Sequence, residues 1–536
     1  MKIITGGELL LDVLVRCGIR HIFSISGEHI GTVYDAFKKF PEINFTIPRC
    51  ETSAAIMASG YTAATGCSCV TMSTVGAGVI YEVSGLSKAW FTYLPVLSIA
   101  PQLQSWKIKP HQENLQGCNQ DEIFFPITKW NTIVYTWERI PQMIYRAFRE
   151  AWQGIPGPVH IDIPVDVLFR YKMLTKKKKQ KILPPAERTM YRGAIRGDSF
   201  YLKEACKMIR KSERPLIIVG QGFGRPGRYQ DMTESVNRLG IPVITTVYSS
   251  GVFCGSDICY AGDASLFMNS NAGMKLLSKA DLFIVAGIDP DSERMLSAMQ
   301  NSSYLKGIVQ IEIDPSAFAD SIPCLCPVHA DPQSSFSYFE REMKTDKNVF
   351  SVWKDDFSKN CDLLAVELSK ECKDSGKIFD SIKNISSDND IFIVDGKELS
   401  LAASCFLRKA VYKNLFIMDD RDISGAGLPF AIGAAIGNPD NNIVLICDTD
   451  SLFHHIGELQ PASLMKLKFT IICVDNVSSN SNVADTTSVL EGMGCYVKEI
   501  DPLSIKKEGL SKVKAEAINA WVIKDVTDRI NEQRSI

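Results

Sequence analysis

The chain carries almost no net charge: 59 Lys and Arg stand against 61 Asp and Glu, a formal balance of -2. With no basic stripe, nucleic acid is not an expected partner. No apolar run reaches 18 residues, so no membrane span is expected. The 16 Cys among 536 residues are scattered, far below the density of a disulfide scaffold. No CxxC pair occurs, and "CSC" (Cys67, Cys69) and "CLC" (Cys324, Cys326) lack the spacing of zinc ligands. They read as reduced thiols, which predicts a cytoplasmic protein. The opening "MKIITGGELLLDVLVRCG" lacks the unbroken apolar core of a signal peptide, because Glu8 and Asp12 interrupt it. Thr5 and Glu8 instead form a capping box ahead of a stripe of Leu9, Leu10, Val13 and Leu14, which predicts a helix.

What is present is ordinary for a globular protein, with 45% hydrophobic and 22% charged residues. The length suggests roughly three domains. Short apolar runs alternate with helical patterns: "HIFSIS", "NFTIP", "SCVTMST", "LPVLSIA" and "GPVHIDIP" in the first 172 residues. That alternation predicts a parallel sheet covered by helices. A Lys-rich, Pro-ended stretch at 173–188 reads as a solvated linker. A second block, 189–345, holds four strand candidates: "RPLIIVG", "IPVITTV", "ADLFIVAG" and "GIVQIEIDP". Its "GQGFG" (Gly220, Gly222, Gly224) is not GxGxxG, and strand–helix packing explains it as well as a phosphate does. The third block, 346–536, holds "DIFIVDG", "NLFIMDD", "NIVLICD" and "FTIICVDN". The expected fold class is α/β, with three doubly wound parallel-sheet domains, the middle one Rossmann-like.

Three polar residues stand where open α/β sheets bind ligands, just past the ends of apolar strands. Glu51 lies between "INFTIP" and the small-residue helix "TSAAIMASGYTAAT". A solvated acid at a helix N-terminus is the competing reading. Asp448 ends "NIVLICD" and Asn476 ends "FTIICVDN". A carboxylate, an amide oxygen and a backbone carbonyl suit Mg²⁺, but helix capping and turn closure suit the same residue types.

Together these segments resemble the thiamine-diphosphate (ThDP) enzymes of the pyruvate decarboxylase and acetolactate synthase superfamily, over nearly the whole chain. "RCETSAAIMASGYTAATG" is similar to the family's R-x-E-x-x-A-x-x-x-A-x-G-Y-x-x-x-x-G. "GIPGPVHIDIPVDV", "VQIEIDP" and "GAGLPFAIGAAIG" also have family counterparts. "MKIITGGELL", "GEHIGTVYDA", "KAWFTYLPVL", "NLQGCNQDE" and "PITKW" resemble benzaldehyde lyase in particular. The resemblance implies that the first and third domains bind ThDP and that Glu51 meets its pyrimidine. It implies that Asp448, Asn476 and the Ser478 carbonyl hold Mg²⁺, and that Gly396, Ser424, Gly425 and Thr449 lie by the cofactor. It gives His29 and Gln116 to a small carbonyl substrate. It further implies a homodimer or homotetramer, and a lyase or carboligase acting on 2-hydroxy ketones or 2-oxo acids through an enamine. A 2-oxoacid decarboxylase or an acetolactate-synthase-like transferase is the alternative.

The chain departs from the family where the diphosphate is expected. "CDTD" (447–450) replaces Gly-Asp-Gly, so Thr449 stands for a glycine and Asp450 is a rival ligand. Asp475 precedes Asn476 in place of Asn-Asn, and Ser424 replaces a large apolar wedge. Lys397 and Glu398 bring charge to a neutral stretch. The segment after Asn476 and the C-terminal tail are short. A catalytically weakened, non-enzymatic paralogue is therefore a further alternative.

Overall fold

A computed structural model describes residues 2–109, 114–174, 194–223, 229–253, 257–287, 299–300, 302–319, 323–343, 349–370, 372–383, 389–408, 415–418, 423–475, 485–500 and 517–524. Asn476, Ser478, the Lys run at 176–179 and most of the expected linker lie outside these residues. The chain divides into two compact units. The first takes in Met1–Gly193, Leu428–Asn438 and His455–Met465; the second takes in Ala194–Gly427, Pro439–His454 and Lys466–Ile536.

The first unit is built on strands β1 (Lys2–Thr5), β2 (His21–Ser24), β3 (Asn44–Thr46), β4 (Val70–Met72), β5 (Leu97–Gln102), β6 (Asn131–Ile133), β7 (Val159–Pro164) and β8 (Tyr171–Leu174). β1 and β8 form an antiparallel pair. The other six make one parallel sheet in the order β3-β2-β4-β5-β7-β6. β5 and β7 are buried along their whole length, as expected of parallel strands covered on both faces. The capping box is realised: Thr5 Oγ1 accepts the Glu8 N–H at 3.1 Å, and Glu8 Oε2 accepts the Thr5 N–H at 3.3 Å. Leu9, Leu10, Val13 and Leu14 behind it enter the core.

The helix Glu51–Thr65 shows why its residues are small. It is crossed on one side by the helix Ala77–Phe91, where a side-chain carbon added at Gly85 would lie 2.1 Å from the Thr52 carbonyl oxygen. The helix Gly427–Gly437 approaches it as closely, since a carbon added at Gly60 would lie 2.1 Å from the Phe430 carbonyl oxygen. Backbones this close leave no room for larger side chains, and overpacking such a contact costs about 1–3 kcal/mol.

The second unit carries two further parallel sheets. One uses β9 (Pro215–Val219), β10 (Val243–Thr245), β11 (Tyr260–Asp263), β12 (Leu282–Ala286), β13 (Gly307–Glu312) and β14 (Cys326–His329), in the order β11-β10-β9-β12-β13-β14. Numbered within its own sheet this is 3-2-1-4-5-6, the Rossmann order. The other uses β15 (Ile391–Asp395), β16 (Leu415–Met418), β17 (Ile443–Asp448), β18 (Phe469–Asp475), β19 (Tyr496–Glu499) and β20 (Ile518–Lys524), in the order β16-β15-β17-β18-β20-β19. Numbered the same way, this third sheet and the first are both 2-1-3-4-6-5. The three doubly wound sheets agree with the expected fold class. Strands β1, β6, β8, β11, β14, β19 and β20 were not foreseen.

Candidate active site

In the first unit the carboxyl ends of β2, β3, β4 and β5 lead to His29, Glu51, the 74–78 turn and Gln116 in that order. The turn is the hub. A side-chain carbon at Gly78 would lie 2.8 Å from Glu51 Oε1, so the carboxylate rests on that glycine. A carbon at Gly76 would lie 2.9 Å from Gln116 Cβ. Gly27, two residues before His29, rests on Thr74 in the same way, at 2.6 Å from Oγ1. The sheet thus brings the surroundings of all three predicted residues onto one short segment. Glu51 and His29 are half-buried, and Gln116 is exposed.

Two features fix this geometry. Gln116 has a backbone φ of 66°, in the left-handed region that a residue with a side chain rarely adopts. Such strain is typical of sites where a side chain must be aimed. The turn into the Glu51 helix is pinned by Glu458, whose carboxylate accepts the N–H groups of Arg49 at 3.0 Å and Cys50 at 3.2 Å. Burial pushes the Glu458 carboxyl up from the usual range, and these donors oppose the shift.

Behind the turn lies a polar network that the sequence reading missed. Glu82, on the helix that follows the turn, is fully buried. The Ser73 and Ser98 hydroxyls and His160 face it, yet neither carboxyl oxygen has a well-formed hydrogen bond. Ser98 Oγ lies 2.8 Å from His160 Nδ1, and His160 Nε2 lies 3.1 Å from Asp162 Oδ1. Gln120 donates its amide N–H to that Asp162 oxygen, and its own oxygen accepts the Gly76 N–H at 3.3 Å. Phe124 stacks on the His160 ring at 3.7 Å. Burial pushes the carboxyls of both Glu82 and Asp162 up. The available signal was one acid, Glu82, inside an otherwise apolar helical face.

In the second unit the third sheet offers a different set. Asp448 Oδ1 accepts the Ser451 N–H at 2.8 Å, which caps the helix Thr449–His454. Its other oxygen faces Gly396, where an added carbon would lie 2.6 Å away. Capping therefore uses one carboxylate oxygen and leaves the other turned to the loop after β15. Thr449 is buried, and its hydroxyl donates to Asp475 Oδ1 at 2.9 Å; Thr486 adds a longer bond to the same oxygen at 3.4 Å. The two departures Thr449 and Asp475 thus pair with each other. Gly425 has a φ of 73°, and its neighbour Ser424 is exposed. Asp450, Lys397 and Glu398 lie at exposed positions. Among the described residues no group of three His, Cys, Asp or Glu side chains could hold a metal. In the middle sheet, the Gly222 N–H donates to the Gly287 carbonyl at 2.8 Å, so that glycine of "GQGFG" serves packing.

The donor set fits ThDP at the pyrimidine end. A carboxylate in the first turn of a helix, packed on a glycine, is the donor set that a pyrimidine nitrogen can meet. Three family models match the chain: the N-terminal TPP binding domain of thiamine pyrophosphate enzymes over residues 4–123, their central domain over 202–338 and their C-terminal TPP binding domain over 422–507. Curated relatives include the acetolactate synthase large subunits of Buchnera aphidicola, 24% identical over 484 residues, and Haemophilus influenzae, 23% identical over 489 residues. The acetolactate synthase isozyme 3 large subunit of Escherichia coli is 22% identical over 490 residues. In each case the match covers 89% of this chain and 83% of the relative.

Proposed function

The chain belongs to the thiamine pyrophosphate enzymes, and from that premise we propose that it uses ThDP with Mg²⁺ to break or make a carbon–carbon bond beside a carbonyl. The observation that carries this reading is the Glu51 carboxylate resting on Gly78 at the carboxyl edge of the first sheet. When bound, ThDP supplies a nucleophilic carbon and an electron sink. Glu51 would hold a pyrimidine nitrogen of the cofactor by a hydrogen bond, and its carboxylate could take up or release a proton there. His29 moves the hydroxyl proton of the substrate, and Gln116 donates an N–H to the substrate oxygen. Asp448, with Asn476 and the Ser478 carbonyl, would hold Mg²⁺. Gly396, Ser424, Gly425 and Thr449 would lie by the diphosphate. The functional divisions fall at 1–172, 189–345 and 346–536, and the working unit is a homodimer or homotetramer.

A 2-hydroxy ketone lyase or carboligase suits the His29 and Gln116 pair. The second reading is a synthase that joins two 2-oxo acids, which the names of the acetolactate synthase relatives favour. Calorimetry with ThDP and Mg²⁺ tests the shared premise. Saturable binding is expected, and its absence at millimolar ThDP overturns the proposal. Glu51→Gln is expected to keep binding and to lose about 10²–10⁴-fold in turnover, the usual weight of a positioned acid–base group. Benzoin, acetoin and pyruvate offered separately then distinguish cleavage, condensation and release of CO₂.

A further inference from the structure

Gln116 is an exposed side chain on a strained stretch of backbone, and the bonds around it show what holds it there. Its backbone, at a φ of 66°, rests on Gly76: a side-chain carbon on that glycine would lie 2.9 Å from Gln116 Cβ and 3.0 Å from the Gln116 carbonyl oxygen. Gly76 itself has a φ of 82° and opens the helix Ala77–Phe91 without a side-chain cap. Its N–H is taken by Gln120 Oε1 at 3.3 Å. Gln120 begins the short helix Gln120–Phe124, and its side chain is fully buried. A side-chain amide has two donor hydrogens and two acceptor sites, and here all four have partners. Nε2 donates to the Pro101 carbonyl at 3.1 Å and to Asp162 Oδ1. Oε1 accepts the Gly76 N–H and, at 3.9 Å, the Cys118 thiol. A reversed amide would set donor against donor at Gly76 and oxygen against oxygen at Pro101, so only this orientation satisfies the site. Pro101 and Asp162 belong to the paired strands β5 and β7, and His160 Nε2 lies 3.1 Å from the same Asp162 oxygen. Gln102, also buried, donates to the Cys118 carbonyl at 3.4 Å, and the Gly117 N–H closes a turn on the Asn114 carbonyl at 3.0 Å.

We propose that Gln120 is a positioning residue: it ties the Gly76 turn to β5 and β7 and, through Gly76, keeps Gln116 at positive φ with its amide aimed at the substrate. The inference rests on the reading that Gln116 meets the substrate oxygen. A residue with a side chain is driven out of the left-handed region unless its surroundings hold it there. The buried amide supplies that hold from behind, while the Gln116 side chain stays exposed. The role is separate from that of Glu51. Gly78, on which Glu51 rests, lies inside the helix. There the Val79 N–H donates to the Thr74 carbonyl at 3.1 Å and the Ile80 N–H to the Gly76 carbonyl at 3.2 Å. These bonds do not involve Gln120, so its loss should release Gln116 and leave the Glu51 contact in place.

Gln120→Leu removes all four bonds at similar volume. The first test needs no cofactor and follows amide hydrogen exchange in the apo protein by mass spectrometry. Exchange at 114–117 is expected to quicken together with that at 74–78, by about fivefold, the weight of one lost hydrogen bond. Faster exchange at 74–78 alone, or at neither, overturns the tie. If Gln120→Leu does not fold, Gln120→Asn carries the same test, since it keeps the amide on a stem too short to join both strands to Gly76. The second test uses the protein with ThDP and Mg²⁺. Gln120→Leu is expected to keep ThDP affinity within about twofold and to lose about 10²-fold in turnover, the usual cost of a misplaced reacting group. A residue that acts through Gln116 adds nothing once that side chain is gone. Gln116→Ala combined with Gln120→Leu should therefore turn over no more slowly than Gln116→Ala alone. Losses that multiply overturn the positioning role and leave Gln120 as a general support of the fold. If Gln116→Ala keeps full turnover, the proposed role of Gln116 fails, while the exchange result still decides whether Gln120 holds that segment.

Discussion

The first and third sheets run in the same strand order, yet one buried acid behind the first, Glu82, is held unlike the acids of the third. In the third, each buried acid meets donors. Asp395 Oδ2 accepts the Gly427 N–H at 2.8 Å, and Asp475 Oδ1 accepts the Thr449 hydroxyl at 2.9 Å. In the first, Asp162 also meets a donor, the Gln120 amide N–H, but among the described residues Glu82 makes no well-formed hydrogen bond. A buried carboxylate that takes N–H and O–H donors is a strut, because its charge is compensated where it sits. A buried carboxyl without them is driven toward its neutral form and becomes a place to keep a proton. One frame therefore serves two tasks, and the side chains behind the edge decide which.

The comparison breaks first at Asp395. Asp395→Ala would leave the buried Gly427 N–H without its acceptor, which costs about 1–3 kcal/mol. Urea unfolding is expected to show a loss in that range. An unchanged midpoint would mean that Asp395 is no strut. The next test is the pair of departures from the family pattern. Thr449→Val removes the hydroxyl that Asp475 accepts and keeps the shape. A double-mutant cycle with Asp475→Asn should return a coupling of about 1.5 kcal/mol, the lower range for a hydrogen bond to a charged group. Additive losses would show that the two replacements arose without supporting each other.

Much of this frame was legible in the sequence. The buried runs "LPVLSIA", "NIVLICD" and "FTIICVDN" became central strands because parallel strands covered on both faces need continuous apolar residues. The strand Asn131–Ile133 was not legible, because its three positions are only half-buried and "NTI" carries no run. The strand Ile518–Lys524 pairs with Phe469–Asp475 across some fifty residues, and only tertiary contact reveals it. Glu51 and Asp448 were singled out as candidates because each follows an apolar strand. Glu82, His160 and Asp162 were not. Their meaning arises from the pairing of Ser98 with His160 across neighbouring strands, and no spacing in the chain expresses that. The replacements Thr449 and Asp475 looked like damage when read singly and became a bonded pair in the fold.

The smallest expected effect separates the two edges by backbone strain. Both place residues at positive φ among their candidate site residues. In the third sheet these are glycines, Gly396 at 134° and Gly425 at 73°; in the first, Gln116 takes 66°. A side chain in the left-handed region costs about 1–2 kcal/mol, whereas glycine loses about 0.5–1 kcal/mol more chain entropy on folding. Gln116→Gly should therefore stabilise the protein by only about 0.5 kcal/mol, the balance of those two terms. If Gln116 donates to the substrate oxygen, the same change should lower turnover by about 10²-fold, as the loss of one aimed donor does. Gly425→Ala reverses the sign, since the new carbon would lie 2.5 Å from the Ser451 carbonyl oxygen. A Gln116→Gly protein that gains stability and keeps full turnover would leave the strain without a use and remove Gln116 from the site. Loss of turnover with the gain in stability would mark the strain at the first edge as the cost of aiming one side chain, a cost the third edge avoids by using glycine.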